Sequence, residues 1–294
     1  MSAKIGRSPG WKRLGIIAGD GMLPVRIAEA EASRGAPAFV VRLTDEEALE
    51  KFSFRDHSIA EVGAILKSLQ AEGCDAVCFA GIVRRPNFAQ LKPDWRGAAL
   101  LPRVVNAARR GDGAIIDVIV EVFEKEGFQV VGAEEAAGAL EIAQGSVGAI
   151  QPSTEDFSDI RKAASLIEAL GPFDVGQGAV VRRGFVLAIE AAEGTDAMLA
   201  RCAALPASLK GDEPGTEGQR SGVLVKVPKP EQELRVDMPT IGAQTVRGVC
   251  EAGLAGIAVR AGRALVIDHA DVRDEADRLG VFVYAFSDDD LSGH

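Results

Sequence analysis

Leu14-Gly15-Ile16-Ile17-Ala18-Gly19-Asp20-Gly21-Met22-Leu23-Pro24 is the stretch on which the fold turns. Its apolar opening reads as a buried strand, Gly19-Asp20-Gly21 as a turn, and Pro24 suits the first turn of a helix running to about Arg34. Outward from it, residues 38–41 read as a second strand. Ser58-Ile59-Ala60-Glu61 fits a capping box opening a helix to about Gln70. Residues 75–80 form a third strand that ends in Gly81. Strand, helix, strand, helix, strand is the rhythm of a parallel sheet. A helix over residues 114–126 and a strand over 128–131 continue it.

Residues 145–154, with Gly, Ser, Gln and Pro152, break this alternation. The reading therefore divides the chain into a tail (1–13), a first domain (14–148) and a second domain (149–294). Ser153 or Thr154 caps a helix to Leu170, which Gly171-Pro172 stops. Residues 179–182 and 185–191 flank Arg183-Gly184 as a hairpin, and a short helix follows over 196–205. Val223, Val225 and Val227 alternate with Leu224 and Lys226, the pattern of a half-buried strand. A helix over 244–252 precedes a strand pair, 256–260 and 264–268, around Ala261-Gly262-Arg263. A short helix over 271–277 and a strand over 281–286 close the chain. Residues 210–220 read as a loop. The fold class is α/β, with partly antiparallel pairing in the second domain.

The bulk properties narrow the function. With 47% hydrophobic residues in 294, a packed core is within reach. A net charge of -10 argues against nucleic acid as partner, because phosphate neutralisation needs a basic surface. Cys74, Cys78, Cys202 and Cys250 read as reduced core thiols, and no Cys or His cluster completes a zinc site. Residues 1–13 lack an apolar signal-peptide core, and no run is long and apolar enough for a membrane span. The expectation is a cytoplasmic protein.

Four stretches could carry chemistry. Gly19, Asp20, Gly21, Leu23 and Pro24 lie between a strand and a helix, where glycines admit an anion to the backbone and the helix N-terminus favours it. Such a turn is also common as plain structure, and Pro24 stands where a dinucleotide fingerprint needs its third glycine. Gly81 ends another strand on the same sheet edge, the edge where open α/β sheets bind ligands. Arg84, Arg85 and Asn87 follow it. The second stretch, Glu190 to Met198, holds Glu190, Glu193 and Asp196 with Gly194 and Thr195 between them. Hard oxygen ligands of this kind suit magnesium, which needs one or two protein carboxylates plus substrate phosphate. Capping by Thr195 or Asp196 is compatible with that use. The third stretch joins Lys226 and Pro228 to Arg235-Val236-Asp237-Met238-Pro239-Thr240-Ile241-Gly242. In extended geometry Arg235 and Asp237 share a side. Cation, carboxylate and hydroxyl are what phosphate hydrolysis requires, although Asp237 beside Pro239 also fits a turn. Asp174-Val175-Gly176-Gln177-Gly178 is a weaker fourth stretch. His57, His269 and His294 complete no Ser/His/Asp arrangement, so water attack aided by a metal is favoured over a side-chain nucleophile.

Taken together, these motifs resemble the LpxI family of UDP-2,3-diacylglucosamine pyrophosphatases, from about Arg13 to Phe286. The resemblance implies an N-terminal Rossmann-like domain and a C-terminal mixed α/β domain with a substrate cleft between them. It implies magnesium-dependent hydrolysis of UDP-2,3-diacylglucosamine to UMP and 2,3-diacylglucosamine 1-phosphate in lipid A biosynthesis, by water attack on the α-phosphorus. Asp237 takes the family's most important aspartate, with Glu193 and Asp196 as further catalytic and metal-binding acids. Gly19, Asp20, Gly21, Leu23, Pro24, Gly81, Asn87, Gln177, Thr195, Lys226, Thr240 and Gly242 are the expected substrate contacts. Asp20 and Gly178 depart from the family's frequent residues. Two acyl chains call for an apolar groove and for peripheral contact with the inner membrane surface, while a homodimer stays open. The alternatives are a non-catalytic nucleotide-sugar or lipid-binding module and, third, an NAD-dependent oxidoreductase using Asp45.

Overall fold

The structure is a computed structural model that describes residues 10–83, 91–138, 140–210, 219–230 and 232–292. The chain forms two compact units. The first is Met1–Ala139 with Glu233–Asp237, and the second is Leu140–Gln232 with Met238–His294.

The first unit is built on five parallel strands in the order β3-β2-β1-β4-β5: β1 Leu14–Ala18, β2 Phe39–Arg42, β3 Ser53–Asp56, β4 Ala76–Ala80 and β5 Gln129–Val130. Every residue of β1 is buried, as expected of a central strand covered on both faces. Helix α1 (Met22–Ser33) follows the glycine turn, with Pro24 in its first turn. Strand β3 escapes sequence reading because Ser53, Arg55 and Asp56 are polar and exposed at the sheet edge. The Ser58–Glu61 motif is half a capping box: Glu61 accepts the Ser58 amide at 2.8 Å. Helix α2 (Val62–Ala71) starts only afterwards, and its Ala64 amide is taken by the distant Asp94 at 2.9 Å. Asp94 also caps α3 (Trp95–Ala108), a helix the sequence reading missed, through the Gly97 amide at 2.7 Å. Helix α4 (Asp112–Lys125) brings Phe123 edge-on to Phe79, with ring centroids 5.1 Å apart. A short α5 (Ala133–Ala137) ends the unit's main run. Part of the expected tail is structural. Trp11 is buried and donates to Glu31 at 3.1 Å, and the amides of Lys12 and Arg13 bind Asp75.

The second unit holds a six-stranded sheet, β6-β13-β11-β9-β7-β8. Its strands are β6 Gly145–Ser146, β7 Gly178–Arg182, β8 Phe185–Ile189, β9 Val223–Lys226, β11 Gly256–Arg260 and β13 Phe282–Phe286. Strands β9, β11 and β13 are parallel, whereas β6, β7 and β8 pair antiparallel with their neighbours. Ile142 packs in this unit's core and β6 pairs with β13, which is why residues from Leu140 onward join the second unit. Helix α6 (Thr154–Leu170) has the Ser153–Asp156 capping box and packs Ile160, Ala163 and Ile167 on one sheet face. Helices α7 (Gly194–Ala203), α8 (Ala243–Glu251) and α9 (His269–Leu279) cover the other face with Met198, Val246 and Val272. A four-residue α10 (Asp288–Leu291) follows β13.

Two expectations are corrected here. Strand β9 is not half-buried: Val223 and Val225 enter one cluster and Leu224 the other, so all four of its residues are buried. Residues 256–260 and 264–268 are not a strand pair either. β12 (Leu265–Val266) leaves the large sheet and pairs parallel with β10 (Thr240–Ile241). The hairpin is as expected: Asp159 accepts both turn amides, of Arg183 and Gly184, at 2.8 Å.

Candidate functional site

At the carboxyl ends of β1 and β4, the order β2-β1-β4 places a switch point where open α/β sheets take ligands. There Gly19 and Gly81 meet. The Gly19 amide donates to Ala80, Asp20 and Ile82 exchange two backbone hydrogen bonds of 2.9 Å, and a Cβ on Gly19 would lie 2.5 Å from the Ile82 carbonyl oxygen. Gly81, at φ 88, is equally pressed against the Asp20 carbonyl. The Gly21 amide is also engaged, donating to Glu46 Oε2 at 3.0 Å. Gly21 stands at φ 97 and ψ 178, backbone that only glycine adopts readily. Leu23 is half-buried and Pro24 buried in the start of α1. Nearby, Asp45 lines a pocket of about 210 Å³ with Thr44, Asp56 and His57. Its Arg42 is held by Asp56 at 2.6 and 3.2 Å. Arg84, Arg85 and Asn87 lie outside the described residues.

Asp237 ends the segment Glu233–Asp237, which belongs to the first unit. Leu234–Val236 is a turn rather than extended chain, with the Val236 and Asp237 amides both donating to the Glu233 carbonyl. The shared side expected for Arg235 and Asp237 therefore does not arise from strand geometry. Val236 packs against the first unit's core, and Arg235 binds Glu233 at 2.6 Å and Glu124 at 2.9 Å. Arg235 lowers the Glu233 carboxyl, and Glu233 in turn raises the Arg235 guanidinium, while the Arg235–Glu124 pair ties the segment to α4. Asp237 is half-buried.

In the second unit, Lys226 ends β9, Thr195 opens α7 and Glu190 follows β8. Lys226 Nζ donates to Thr195 Oγ1 at 2.9 Å and to the Thr240 carbonyl at 3.3 Å, and Thr195 Oγ1 donates to Glu190 Oε1 at 2.8 Å. Lys226 is 5% exposed and Glu190 7%. Glu193 and Asp196 point elsewhere. Glu193 pairs with Arg201 at 2.8 Å and is held below the usual carboxylate range by its own amide first and Arg201 second. Asp196 is exposed in the first turn of α7. Gln177 accepts from Gln232 at 3.1 Å, while its carbonyl takes the Val227 amide. Beside it, Lys229 and Asp174 form an ion pair. Thr240 Oγ1 donates to the Met238 carbonyl at 2.9 Å, and Gly242 precedes α8 with nothing within 4 Å of where a Cβ would stand.

Of the sequence-predicted residues, the structure thus brings together Thr195, Lys226 and the Thr240 backbone, with Glu190 as the acid that meets them. Glu190 lies in the acidic motif, but nothing in the sequence singles it out from Glu193 and Asp196. Its distinguishing signal is its place opposite Gly178, which only strand pairing reveals. Among the described residues no three His, Cys, Asp or Glu side chains gather to hold a metal ion. Magnesium needs no such cage, since one or two carboxylates and substrate phosphate suffice. Asp237, Asp196 and Glu193 are oxygen donors of the hard type that magnesium takes, and Glu193 is engaged by Arg201. Burial pushes the Cys74 thiol up to about 11 and raises Cys78 and Cys202, so these three are held as neutral core thiols.

Comparison with known proteins covers both units. The family model of the LpxI N-terminal domain matches residues 13–140, and that of the LpxI C-terminal domain matches residues 143–284. A curated relative, the UDP-2,3-diacylglucosamine pyrophosphatase LpxI of Caulobacter vibrioides, is 47% identical over 274 residues, covering 92% of this chain and 96% of the relative.

Proposed function

The chain belongs to the LpxI family, and we propose that it hydrolyses UDP-2,3-diacylglucosamine to UMP and 2,3-diacylglucosamine 1-phosphate in lipid A biosynthesis, with magnesium. The observation that carries this reading is identity spread over nearly the whole of a relative named for that activity. In the reaction, the oxygen of water bonds to the α-phosphorus. The bond from that phosphorus to the bridging oxygen breaks, its electron pair leaves with the sugar phosphate, and the water proton passes to a base.

Each chain element has a task that suits its chemistry. The Lys226 ammonium offsets pyrophosphate charge, and being buried it does so with little screening. Asp237 is the essential carboxylate, either holding the metal or taking the proton, with Asp196 as a supporting acid; Glu193 would first have to leave Arg201 to join them. Magnesium, when bound, would neutralise phosphate charge and orient the water. Gly19 to Pro24 and Gly81 form the nucleotide edge. The acyl chains need apolar surface, and edge strand β8 presents Phe185 and Val186 exposed at 62% and 41%. Exposed apolar side chains at such a sheet edge suit peripheral contact with a lipid surface. Among the described residues no helix is long and apolar enough to cross a membrane.

The test is UMP release from UDP-2,3-diacylglucosamine by the purified chain. We expect turnover with magnesium, loss on adding EDTA and recovery on restoring the metal. Tight substrate binding with no turnover in either condition would replace the hydrolase with a binding module.

A further inference from the structure

Three positions form one row across the end of the second sheet. Gly178 of β7 is paired with Lys226 of β9. On its other side Ala179 pairs with Ile189, and the Glu190 amide donates to the Gly178 carbonyl at 2.8 Å, which carries the register on to Glu190. Residues opposite one another in a ladder point to the same face. Glu190 and Lys226 therefore project together, with no side chain between them. A Cβ on Gly178 would lie 2.5 Å from Glu190 Oε2, so glycine leaves the room in which the carboxylate lies.

The donors in this group run in one direction. An ammonium only donates, and a hydroxyl donates one proton and accepts others. Lys226 donates a hydrogen bond to Thr195, and the Thr195 hydroxyl donates one to Glu190 Oε1. The Thr195 hydroxyl is committed as a bridge. A buried ammonium persists where a counter-charge is near, and Glu190 supplies one through that bridge. The other oxygen, Glu190 Oε2, is buried without a hydrogen-bond partner among the described residues. A side chain kept for packing alone would not be a carboxylate with an unmet oxygen.

We propose that Glu190 is a positioning residue of the hydrolytic site: it holds the Thr195 hydroxyl and, through it, fixes and charge-balances the Lys226 ammonium that meets the substrate's pyrophosphate. This rests on the reading of Lys226 as a substrate contact. Thr195 is then a link between the two charges and not itself a ligand of the substrate.

The experiment measures kcat, KM and the melting midpoint of the full chain with UDP-2,3-diacylglucosamine and magnesium. The variants are Lys226→Met, Glu190→Gln, Glu190→Ala, Thr195→Val and the double variant Glu190→Ala with Thr195→Val. Lys226→Met is expected to lose on the order of 10²–10³-fold in kcat, the scale for one preorganised charge-stabilising donor. Glu190→Ala and Thr195→Val should each lose about 10–100-fold in kcat with little change in KM, the scale for a residue acting through another. The double variant should be no worse than the poorer single one. Glu190→Gln keeps size and an acceptor for Thr195, so it should melt with the wild type yet still lose kcat. A merely structural role would move the melting midpoint and leave kcat per folded molecule intact. Wild-type turnover in Lys226→Met would remove the underlying reading. An inactive Lys226→Met alongside wild-type kcat in Glu190→Gln and Thr195→Val, or losses that multiply in the double variant, would overturn the role of Glu190 alone. If Glu190→Ala does not fold, the Gln and Val variants decide.

Discussion

The edge of the first sheet and the end of the second are finished in opposite ways. At β1 and β4 the backbone satisfies itself: Gly19, Asp20 and Ile82 are zipped together and Glu46 occupies the Gly21 amide. At β7, β8 and β9 the side chains meet instead, and one buried carboxylate oxygen is left without a partner among the described residues. The glycine-rich turn is the more conspicuous motif in the sequence, yet the less conspicuous end holds a buried lysine and a buried glutamate joined through Thr195. Glycines in a turn report where backbone must come close, and what comes close can be another strand end. A buried Lys–Thr–Glu series is harder to explain as packing, because apolar residues would fill the same volume without desolvating two charges.

The contrast can be tested, beginning with the largest effect. Asp237→Ala should fold, retain substrate and lose turnover by about 10²-fold or more, the loss typical of removing a catalytic acid or base. Paired measurements of affinity and single-turnover rate check it, and near-wild-type turnover would sink the assignment. Gly19→Ala forces a Cβ onto the Ile82 carbonyl and should destabilise the chain by about 1–3 kcal/mol in denaturant melts. If that turn receives the nucleotide's phosphate, Glu46→Ala frees the Gly21 amide and removes a repelling charge. UMP affinity should then rise about fivefold, the equivalent of ~1 kcal/mol for an exposed charge pair. Unchanged affinity would leave the turn as a structural zipper.

How far the sequence reached follows from what each element advertises. Strand β1, helix α6 and the Arg183–Gly184 hairpin carry strong local signals, and they stand where the sequence places them. Strand β3 is polar because it lies at an edge, so it carries no apolar signature. The Ser58–Glu61 motif misplaced the start of α2 because the helix borrows its cap from Asp94. Neighbours in sequence usually pair, which points β12 to β11, whereas its partner is β10. At the candidate site the residue types were legible and their partners were not. Glu190, Glu193 and Asp196 read alike in the chain. Only the register of β8 against β7 turns Glu190 inward while Glu193 meets Arg201.

The most direct test of the whole account is hydrolysis of UDP-2,3-diacylglucosamine by the purified chain with magnesium in water enriched in oxygen-18, followed by mass spectrometry of both products. Attack on the α-phosphorus predicts one labelled oxygen in UMP and none in 2,3-diacylglucosamine 1-phosphate. Label in the sugar phosphate, or no products at all, would contradict it.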